Sequence, residues 1–336
     1  MIRQLAAVSA TALLATAFYA VQPAVAAPAA CTKTVLPLPT GTLPGPALVR
    51  SADSTGRYLI GHASREEGSQ AVLWVDGVPR WLASKPNSVS RAYSVTDKGF
   101  VLGNTSDATS TDYWIYSVAT GTYQVLDLPE GFQVYDLTGM NERHDIAGVA
   151  GDPFGTERFP FVIPAGGQPK LLPTPQGVDA FTVDAIGDDG SLVGRFTNPD
   201  NSVIRSYRWT SWNRRPVLLT GQNRDHTWAS VIDGTRIGGG SQGGGETRGR
   251  IWNTRTGRYT ELEDAITDLN SSGDAVTQGG DDFIDTFPSV LITSTGARTT
   301  FPESTHLTQV FDRGNQLSTA GYELTDGEYR AITYQC

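Results

Sequence analysis

Two arginines, two histidines and three aspartates are the side chains of this sequence whose types and placement could support binding or catalysis. Guanidinium groups bind carboxylates and phosphates, imidazole exchanges protons near neutral pH, and carboxylates hold Ca²⁺ or work in pairs on glycosidic bonds. The candidates are Arg50, Arg91, His226, His306, Asp281, Asp282 and Asp285. They form no recognised catalytic motif, so we treat them as candidate binding residues.

Recognised catalytic and metal-binding motifs are absent from the sequence. None of the four histidines lies in an HExxH or HxH pattern, and there is no Gly-x-Ser-x-Gly elbow. The glycine-rich stretch 238–245 lacks the Gly-Lys-Ser/Thr ending of a phosphate-binding loop. The three aspartates lack the ligand spacing of a calcium loop. We therefore expect no cofactor and no metal, with Ca²⁺ at these aspartates as the alternative.

The composition excludes several classes of protein. With 39% hydrophobic residues among 336, the chain is too apolar to be disordered. Its formal net charge of -9 would repel a polyphosphate, so nucleic acid is not expected as a partner. The low charged fraction of 18%, the 37 glycines and the many Val, Thr and aromatic residues favour an all-β fold.

The first 26 residues have the pattern of a secretory signal peptide. Arg3 precedes an apolar stretch over 5–21, and Ala24-Val25-Ala26 supplies the small residues of a cleavage site. We expect a secreted mature domain over 27–336 with no membrane-spanning segment. A lipid on Cys31 is not expected, because Pro28 stands where the lipid signal has an apolar branched residue.

A turn pattern recurs about every 43 residues along the chain. Each copy has an Asp or Asn, a Gly shortly after it, two or three mostly apolar residues and a second small residue. The copies lie at 53–61, 97–103, 141–148, 188–194, 233–238, 270–277 and 312–318. Asp and Asn bond to nearby backbone in turns, and Gly takes the positive φ that tight turns need. Each copy therefore predicts a hairpin between two strands.

Each repeat is predicted to hold four short antiparallel strands, which is the composition of one β-propeller blade. After the hairpin comes a third strand, often with a tryptophan such as Trp74, Trp209 or Trp252, and a glycine turn leads to a fourth. We expect these tryptophans to pack between blades. The sequence thus predicts a seven-bladed β-propeller over 27–336, with six blades and an irregular element as the alternative.

The two ends of the chain are predicted to close the ring. The segment 34–39 resembles the fourth strands of other repeats, whereas the seventh repeat stops after its third strand. We expect this N-terminal strand to complete the last blade. Cys31 and Cys336 would then meet where other blades have a hairpin, which predicts a disulfide in an oxidising compartment. Two unpaired thiols are the alternative.

The candidate binding residues are predicted to meet at one end of the central channel. Arg50 and Arg91 precede the first strands of their blades at matching positions. His226 and His306 lie on connections between blades, and His62 begins a loop between a second and a third strand. Such connections share one face of a propeller, where the three aspartates also fall. A structural ion pair is the alternative role for the arginines.

The turn pattern, followed by a third strand with an aromatic residue, is similar to the repeat of a known protein family. Asp-x-Gly, apolar residues and a closing Gly are clearest at 97–103 and 188–194. This pattern resembles the extracellular HAF-repeat family of bacteria. The His-Ala-Phe triplet that names the family is absent, and residues 70–74 and 206–209 occupy its place. The resemblance implies a secreted repeat protein and carries over no catalytic residue.

The leading functional prediction is non-catalytic binding of an extracellular protein or glycan by a monomer, through its loop-rich face. Rigid repeats, variable loops and the lack of a catalytic motif favour this interpretation. One alternative is a carbohydrate-active hydrolase or lyase with carboxylates converging at the channel. A second is a structural cell-envelope protein.

Overall fold

A computed structural model describes residues 31–82, 85, 87–128, 133–152, 157–175, 180–197, 203–221, 226–278 and 288–336. This part of the chain consists of β-strands joined by turns. None of the described residues belongs to a helix long and apolar enough to cross a membrane.

Five of the sheets have four strands each, and every neighbouring pair is antiparallel. One contains β2 (Leu48–Ala52), β3 (Tyr58–Arg65), β4 (Gly68–Val75) and β5 (Val78–Trp81). The next contains β6 (Val89–Val95), β7 (Phe100–Ser106), β8 (Thr111–Ser117) and β9 (Thr122–Val125). A third contains β10 (Gln133–Met140), β11 (Ile146–Gly151), β12 (Arg158–Ile163) and β13 (Lys170–Leu171). A fourth contains β22 (Ala265–Leu269), β23 (Ala275–Gln278), β24 (Ser289–Ile292) and β25 (Arg298–Thr300). The fifth contains β1 (Thr32–Val35), β28 (Glu328–Gln335), β27 (Gln316–Thr325) and β26 (Thr305–Arg313).

The remaining strands form one sheet of eight. Its first four-strand unit is β14 (Ala180–Ile186), β15 (Leu192–Thr197), β16 (Ile204–Trp209) and β17 (Val217–Leu218). Its second unit is β18 (His226–Asp233), β19 (Arg236–Gly243), β20 (Glu246–Asn253) and β21 (Tyr259–Leu262).

A single parallel bridge, between Ile204 of β16 and His226 of β18, joins these two units. The outer strand β17 pairs only with Tyr207 and Arg208, so the edge of β16 at Ile204 is left open to the next unit. The predicted seven-bladed arrangement of separate four-stranded antiparallel sheets is therefore wrong. Five sheets have four strands, and the sixth has eight and includes a parallel contact.

The first strand of each four-strand unit lies around a central channel. These strands contact one another in chain order, and the last contacts the first: β2, β6, β10, β14, β18, β22 and β26. We call them the inner strands. Such a ring of four-strand units around a channel is a β-propeller.

The predicted closure of the ring is confirmed. β1 pairs antiparallel with β28, from Thr32 opposite Gln335 to Val35 opposite Ile332. Cys31 and Cys336 form a disulfide with their Cα atoms 4.3 Å apart. The N-terminal strand therefore completes the sheet that begins at β26, and the disulfide stands where other sheets have a hairpin between third and fourth strands.

The predicted packing role of the recurring tryptophans is also confirmed. Trp74, Trp209 and Trp252 are at most 2% exposed and belong to the hydrophobic clusters between sheets. A buried indole needs an acceptor for its N–H group. Each donates to a main-chain carbonyl near the fourth strand of the unit before it, at 2.7–2.9 Å: Pro37, Pro173 and Thr220.

Candidate binding cavity at one end of the channel

Every inner strand has a shift of register against its neighbour, which leaves a bulged residue at the corresponding position; β10 has a second bulge at Tyr135. A bulge re-aims the side chain of the extra residue. The bulged residues are Arg50, Tyr93, Thr138, Asp184, Ser230, Thr267 and Thr308. These side chains form one layer of the channel wall.

Four bulged residues have a hydroxyl group and share one contact, which we call the bulge hydroxyl bond. The hydroxyl donates to the carbonyl that precedes the bulge of the next inner strand. Thr138 donates to Val183 at 2.6 Å, and Thr308 donates to Val49 at 3.1 Å. Ser230 and Thr267 make the corresponding bonds, to Ile266 at 3.0 Å and to Leu307 at 3.5 Å. The bond therefore ties neighbouring units together around the ring.

Arg50, Tyr93 and Asp184 depart from this rule. Within the described part of the chain, none of the three makes the bulge hydroxyl bond. All three line a cavity of about 420 Å³ at the end of the channel where the inner strands begin. The cavity is also lined by Ala92 and Leu137, whose carbonyls correspond to the acceptors of the missing bonds.

Arg50 and Arg91 both line this cavity, as expected of residues at the channel mouth. Two details of the prediction are wrong. Both lie within the inner strands β2 and β6 rather than before them. They are also not at matching positions, because Arg50 is the bulged residue of its strand, whereas Arg91 lies two residues before the bulge at Tyr93. The two guanidinium groups therefore belong to different layers of the channel wall.

The side chains of Arg50 and Arg91 are both exposed. Neither guanidinium group has a hydrogen bond or an ion pair with another described residue. Their charges act on neighbouring groups. The pKa of His62 is lowered to about 4, first by burial and then by the positive charges of Arg50 and Arg91. His62 is therefore neutral near pH 7. It lies inside β3, opposite Ala71, and not at the start of a loop as predicted.

Two carboxylates of the cavity have unlike environments. Asp184 is paired with Arg195, Oδ1 to Nη2 at 2.8 Å and Oδ2 to Nε at 3.0 Å. Asp136 has no ion pair among the described residues. Burial raises the pKa of Asp136, while the Leu137 N–H group and the charges of Arg91 and Arg50 act in the opposite direction. Asp136 thus offers an acceptor that no side chain of the cavity has taken.

Tyr93 completes the polar wall of the cavity. Burial raises the pKa of its phenol well above the ordinary value, so the hydroxyl group stays protonated. Together with the two arginines and Asp136, it gives the cavity donors and an acceptor within one concave space. This arrangement can bind an anion that also has hydroxyl groups.

The two predicted histidines are not among the lining residues of the cavity. His226 begins β18 and forms the bridge to Ile204. His306 is the second residue of β26, where it stacks on Tyr322 at 4.8 Å and its Nδ1 lies 3.2 Å from Gln278 Nε2. Burial lowers the pKa of His306.

Asp281, Asp282 and Asp285 lie outside the described residues. Nowhere in the described ranges do three or more His, Cys, Asp or Glu side chains form a group that could hold a metal ion. The calcium alternative therefore stays a prediction.

A different set of charges occupies the opposite end of the channel. A second cavity of about 390 Å³ lies where the inner strands end, and its carboxylates are Asp53, Asp97, Glu142, Asp188, Asp233 and Asp268. Sequence analysis interpreted the turn aspartates as local turn chemistry. Asp53 makes such a local bond, accepting from the N–H group of Tyr58 at 2.8 Å. Three other carboxylates also accept from the backbone N–H group of the turn before them: Ser54 to Asp97 at 2.8 Å, Asp97 to Glu142 at 2.6 Å and Glu142 to Asp188 at 3.0 Å.

Two carboxyl groups at this end have a pKa well above the ordinary value for Asp. Burial raises the pKa of Asp268 to about 7, although the N–H groups of Val310 and Leu269 oppose the shift. Burial and the negative charge of Asp188 raise the pKa of Asp233 to about 6. This end of the channel is therefore acidic by composition and partly protonated near neutral pH.

Tyr93, Asp136 and Asp184 were missed by the sequence analysis, although the repeat contained a partial signal for Tyr93 and Asp184. Counting ten residues back from the closing small residues Gly103 and Gly194 reaches Tyr93 and Asp184. The same count from Gly148 and Thr277 reaches threonines. The count fails in two repeats, where it reaches Ser51 from Gly61 and Trp228 from Gly238. It would therefore have marked Tyr93 and Asp184 as exceptions, but neither Arg50 nor Asp136.

Comparison with solved structures shows the fold. TolB from Acinetobacter baumannii is 13% identical with a TM-score of 0.50, and the match covers 84% of this chain and 64% of TolB, so this chain spans less than two thirds of it. An oligogalacturonate lyase in complex with manganese is 11% identical with a TM-score of 0.59, covering 85% of this chain and 88% of the lyase. The β-propeller domain of the Trilobed protease from Pyrococcus furiosus is 9% identical with a TM-score of 0.58, covering 88% and 94%. No protein-family model and no curated protein matches the chain.

Proposed function

We propose that the protein is a secreted, non-catalytic binding propeller that recognises an extracellular protein or glycan at the channel end lined by Arg50 and Arg91. The observation that supports this most directly is the pair of guanidinium groups in a concave site, neither of which has a partner among the described residues. Structural arginines are normally satisfied by carboxylates or carbonyls. Arg195, which is bound to Asp184 in the same wall, has that role here.

The remaining parts of the proposal concern location and assembly. A disulfide persists in oxidising compartments, so the Cys31–Cys336 bond favours an extracellular or periplasmic location. The proposal includes removal of residues 1–26, a monomeric state and a HAF-repeat-like origin. Intact mass of the secreted protein tests the first point, and light scattering tests the second. A mass that includes residues 1–26 would contradict the proposed export.

A binding screen tests the proposed site. The purified protein is applied to arrays of extracellular glycans and peptides, beside an Arg50→Ala/Arg91→Ala double variant. Arg313→Ala is the matched control, since Arg313 is an exposed arginine at the far end of an inner strand. We expect ligands that bind the wild type and the control but not the double variant. Equal binding by all three proteins would place the ligand elsewhere.

A carbohydrate-active hydrolase or lyase is the second candidate, because Asp136 and Asp184 line the same cavity. Two carboxylates in unlike environments are the usual arrangement for acid and base roles. In this cavity, however, Asp184 is already bound by Arg195. Mass spectrometry of glycans incubated with the protein separates the two functions. Cleavage that Asp136→Asn abolishes would support the enzyme, and intact glycans that stay bound would support the binding propeller.

A further inference from the structure

We infer that the cavity takes the uronic-acid unit of an acidic glycan; this inference rests on the proposed binding function and names its ligand. A uronic acid combines one carboxylate with several hydroxyl groups on a compact ring. The cavity offers a matching partner for each of these two groups. The two partners come from separate features of the wall.

The carboxylate would bind the two arginines. Arg50 extends from a bulge of β2, and Arg91 lies two residues before the bulge of the neighbouring strand β6. Both act on His62, so the two positive charges share one region of the channel. Guanidinium groups bind carboxylates through parallel hydrogen bonds, and such bonds are stronger than neutral ones. A neutral sugar would leave both groups without a partner.

The hydroxyl groups of the ligand would form the hydrogen bonds that are missing from the bulge layer. In the regular repeat, Thr138 donates to the carbonyl of Val183, which precedes the next bulge. Ala92 and Leu137, which hold the corresponding carbonyls, line the cavity, and the residues at the donor positions are Arg50 and Tyr93. A ligand hydroxyl can make the same bond that a threonine makes elsewhere in the ring. Asp136 offers a further acceptor for a hydroxyl group.

A peptide carboxylate is the main competing ligand, and the cavity fits it less well. A peptide end or an acidic side chain would satisfy the arginines but has no hydroxyl groups for the two carbonyls. Asp136 would also repel it without a compensating hydrogen bond. The volume of about 420 Å³ lies within the range of small-molecule sites.

Titration calorimetry with three probes tests the inference. The probes are trigalacturonate, the neutral galactose trisaccharide and a triglutamate peptide, which has carboxylates but no hydroxyl groups. We expect trigalacturonate to bind about tenfold or more tightly than either of the others. Arg50→Ala and Arg91→Ala should each weaken that binding about tenfold, while Arg313→Ala should leave it unchanged. Unchanged circular dichroism and melting temperature would show that the variants are folded.

The outcomes separate this inference from the proposed function. If triglutamate binds as tightly as trigalacturonate, with the same dependence on the arginines, the site binds a ligand but the uronate inference is wrong. If the neutral trisaccharide binds equally well, the inference is also wrong. If ligands bind only in a manner that is independent of Arg50 and Arg91, both the inference and the proposed site are wrong.

Discussion

The two ends of the central channel are built from the same inner strands but differ in whether their charged side chains have hydrogen-bond partners. Where the strands end, the carboxylates of Asp97, Glu142 and Asp188 each accept a backbone N–H group from the neighbouring turn. Where the strands begin, Arg50 and Arg91 have no such partner among the described residues. Charged groups with partners inside the protein hold the ring together. Charged groups without partners are free to bind a ligand.

The same contrast exists within the bulge layer. Three bulged residues donate a hydrogen bond from the hydroxyl group to a carbonyl of the next inner strand: Thr138, Ser230 and Thr308. Arg50 and Tyr93 have no such bond among the described residues, and Ala92 and Leu137, at the acceptor positions, line the cavity. A departure from the regular repeat therefore lowers internal bonding at the same place where we propose that the ligand binds. Functional sites commonly lack stabilising bonds that the rest of a fold has, because their polar groups are needed for a ligand.

Reversing a charge at the arginine end should have the largest effect. We expect Arg91→Glu to weaken trigalacturonate binding about 100-fold or more, because it replaces an attraction by a repulsion near the ligand carboxylate. Calorimetric titration measures the change. Arg313→Glu at the acidic end is the control and should alter binding little. If both variants weaken binding equally, overall charge rather than the cavity determines affinity, and the contrast between the ends fails.

Removing a charge at the acidic end should change stability instead of binding. The raised pKa of Asp268 means that protonation stabilises the folded state. That contribution is complete below the ordinary pKa of 3.8 and is lost as the pH rises through about 7. Asp268→Asn should therefore raise the free energy of unfolding at pH 8 by roughly 2 kcal/mol, and by less at pH 5.

Urea unfolding at the two pH values measures this difference. Asp76→Asn, on an exposed turn outside the channel, is the control and should have little effect at either pH. A destabilising effect of Asp268→Asn at pH 8 would show that the carboxylate is needed in its ionised form. Burial of the ionised Asp268 carboxylate would then not destabilise the folded protein.

Restoring the regular residue should convert the arginine end into an ordinary part of the ring. Arg50→Thr supplies the hydroxyl group for the Ala92 carbonyl, so we expect a gain of about 1 kcal/mol in the free energy of unfolding. The same variant should lose trigalacturonate binding. Arg50→Ala separates the two effects, since it removes the guanidinium group without adding the hydroxyl. Equal stability of the two variants would contradict the bulge hydroxyl bond at this position.

The smallest expected effect is a shift in the titration of His62. Its pKa of about 4 is lowered in part by Arg50 and Arg91. A bound carboxylate offsets these charges, so the pKa of His62 should rise by about one unit or less. NMR of the His62 ring, with and without saturating trigalacturonate, measures the shift. An unchanged titration would place the bound anion away from the two arginines.

Local patterns allowed much of the architecture to be predicted. The strand-like segment at the N-terminus, the incomplete last repeat and the two cysteines led to the closure that β1 and β28 show. The number of separate sheets could not be obtained in the same way. The bridge between Ile204 and His226 depends on how far an outer strand extends, which the turn pattern does not contain.

The site was predicted only in part, because a bulge adds a residue without changing the apolar pattern. Arg50 and Arg91 were found for their charge, yet their positions differ by two residues in the register of the inner strands. Tyr93 and Asp136 gave no signal as single residues. Their meaning depends on the bulge layer, which is visible only when inner strands are aligned on their register.

The pairing of β1 with β28 has a consequence for the order in which the protein can fold. Each of the other sheets is built from strands that are consecutive in the chain. The sheet that contains β1 joins segments 305 residues apart, so it must wait for the final strand to be synthesised. Until then the first strand has an open edge that could pair with another chain. Rapid oxidation of the two cysteines would therefore protect newly made protein against aggregation as well as stabilise the finished ring.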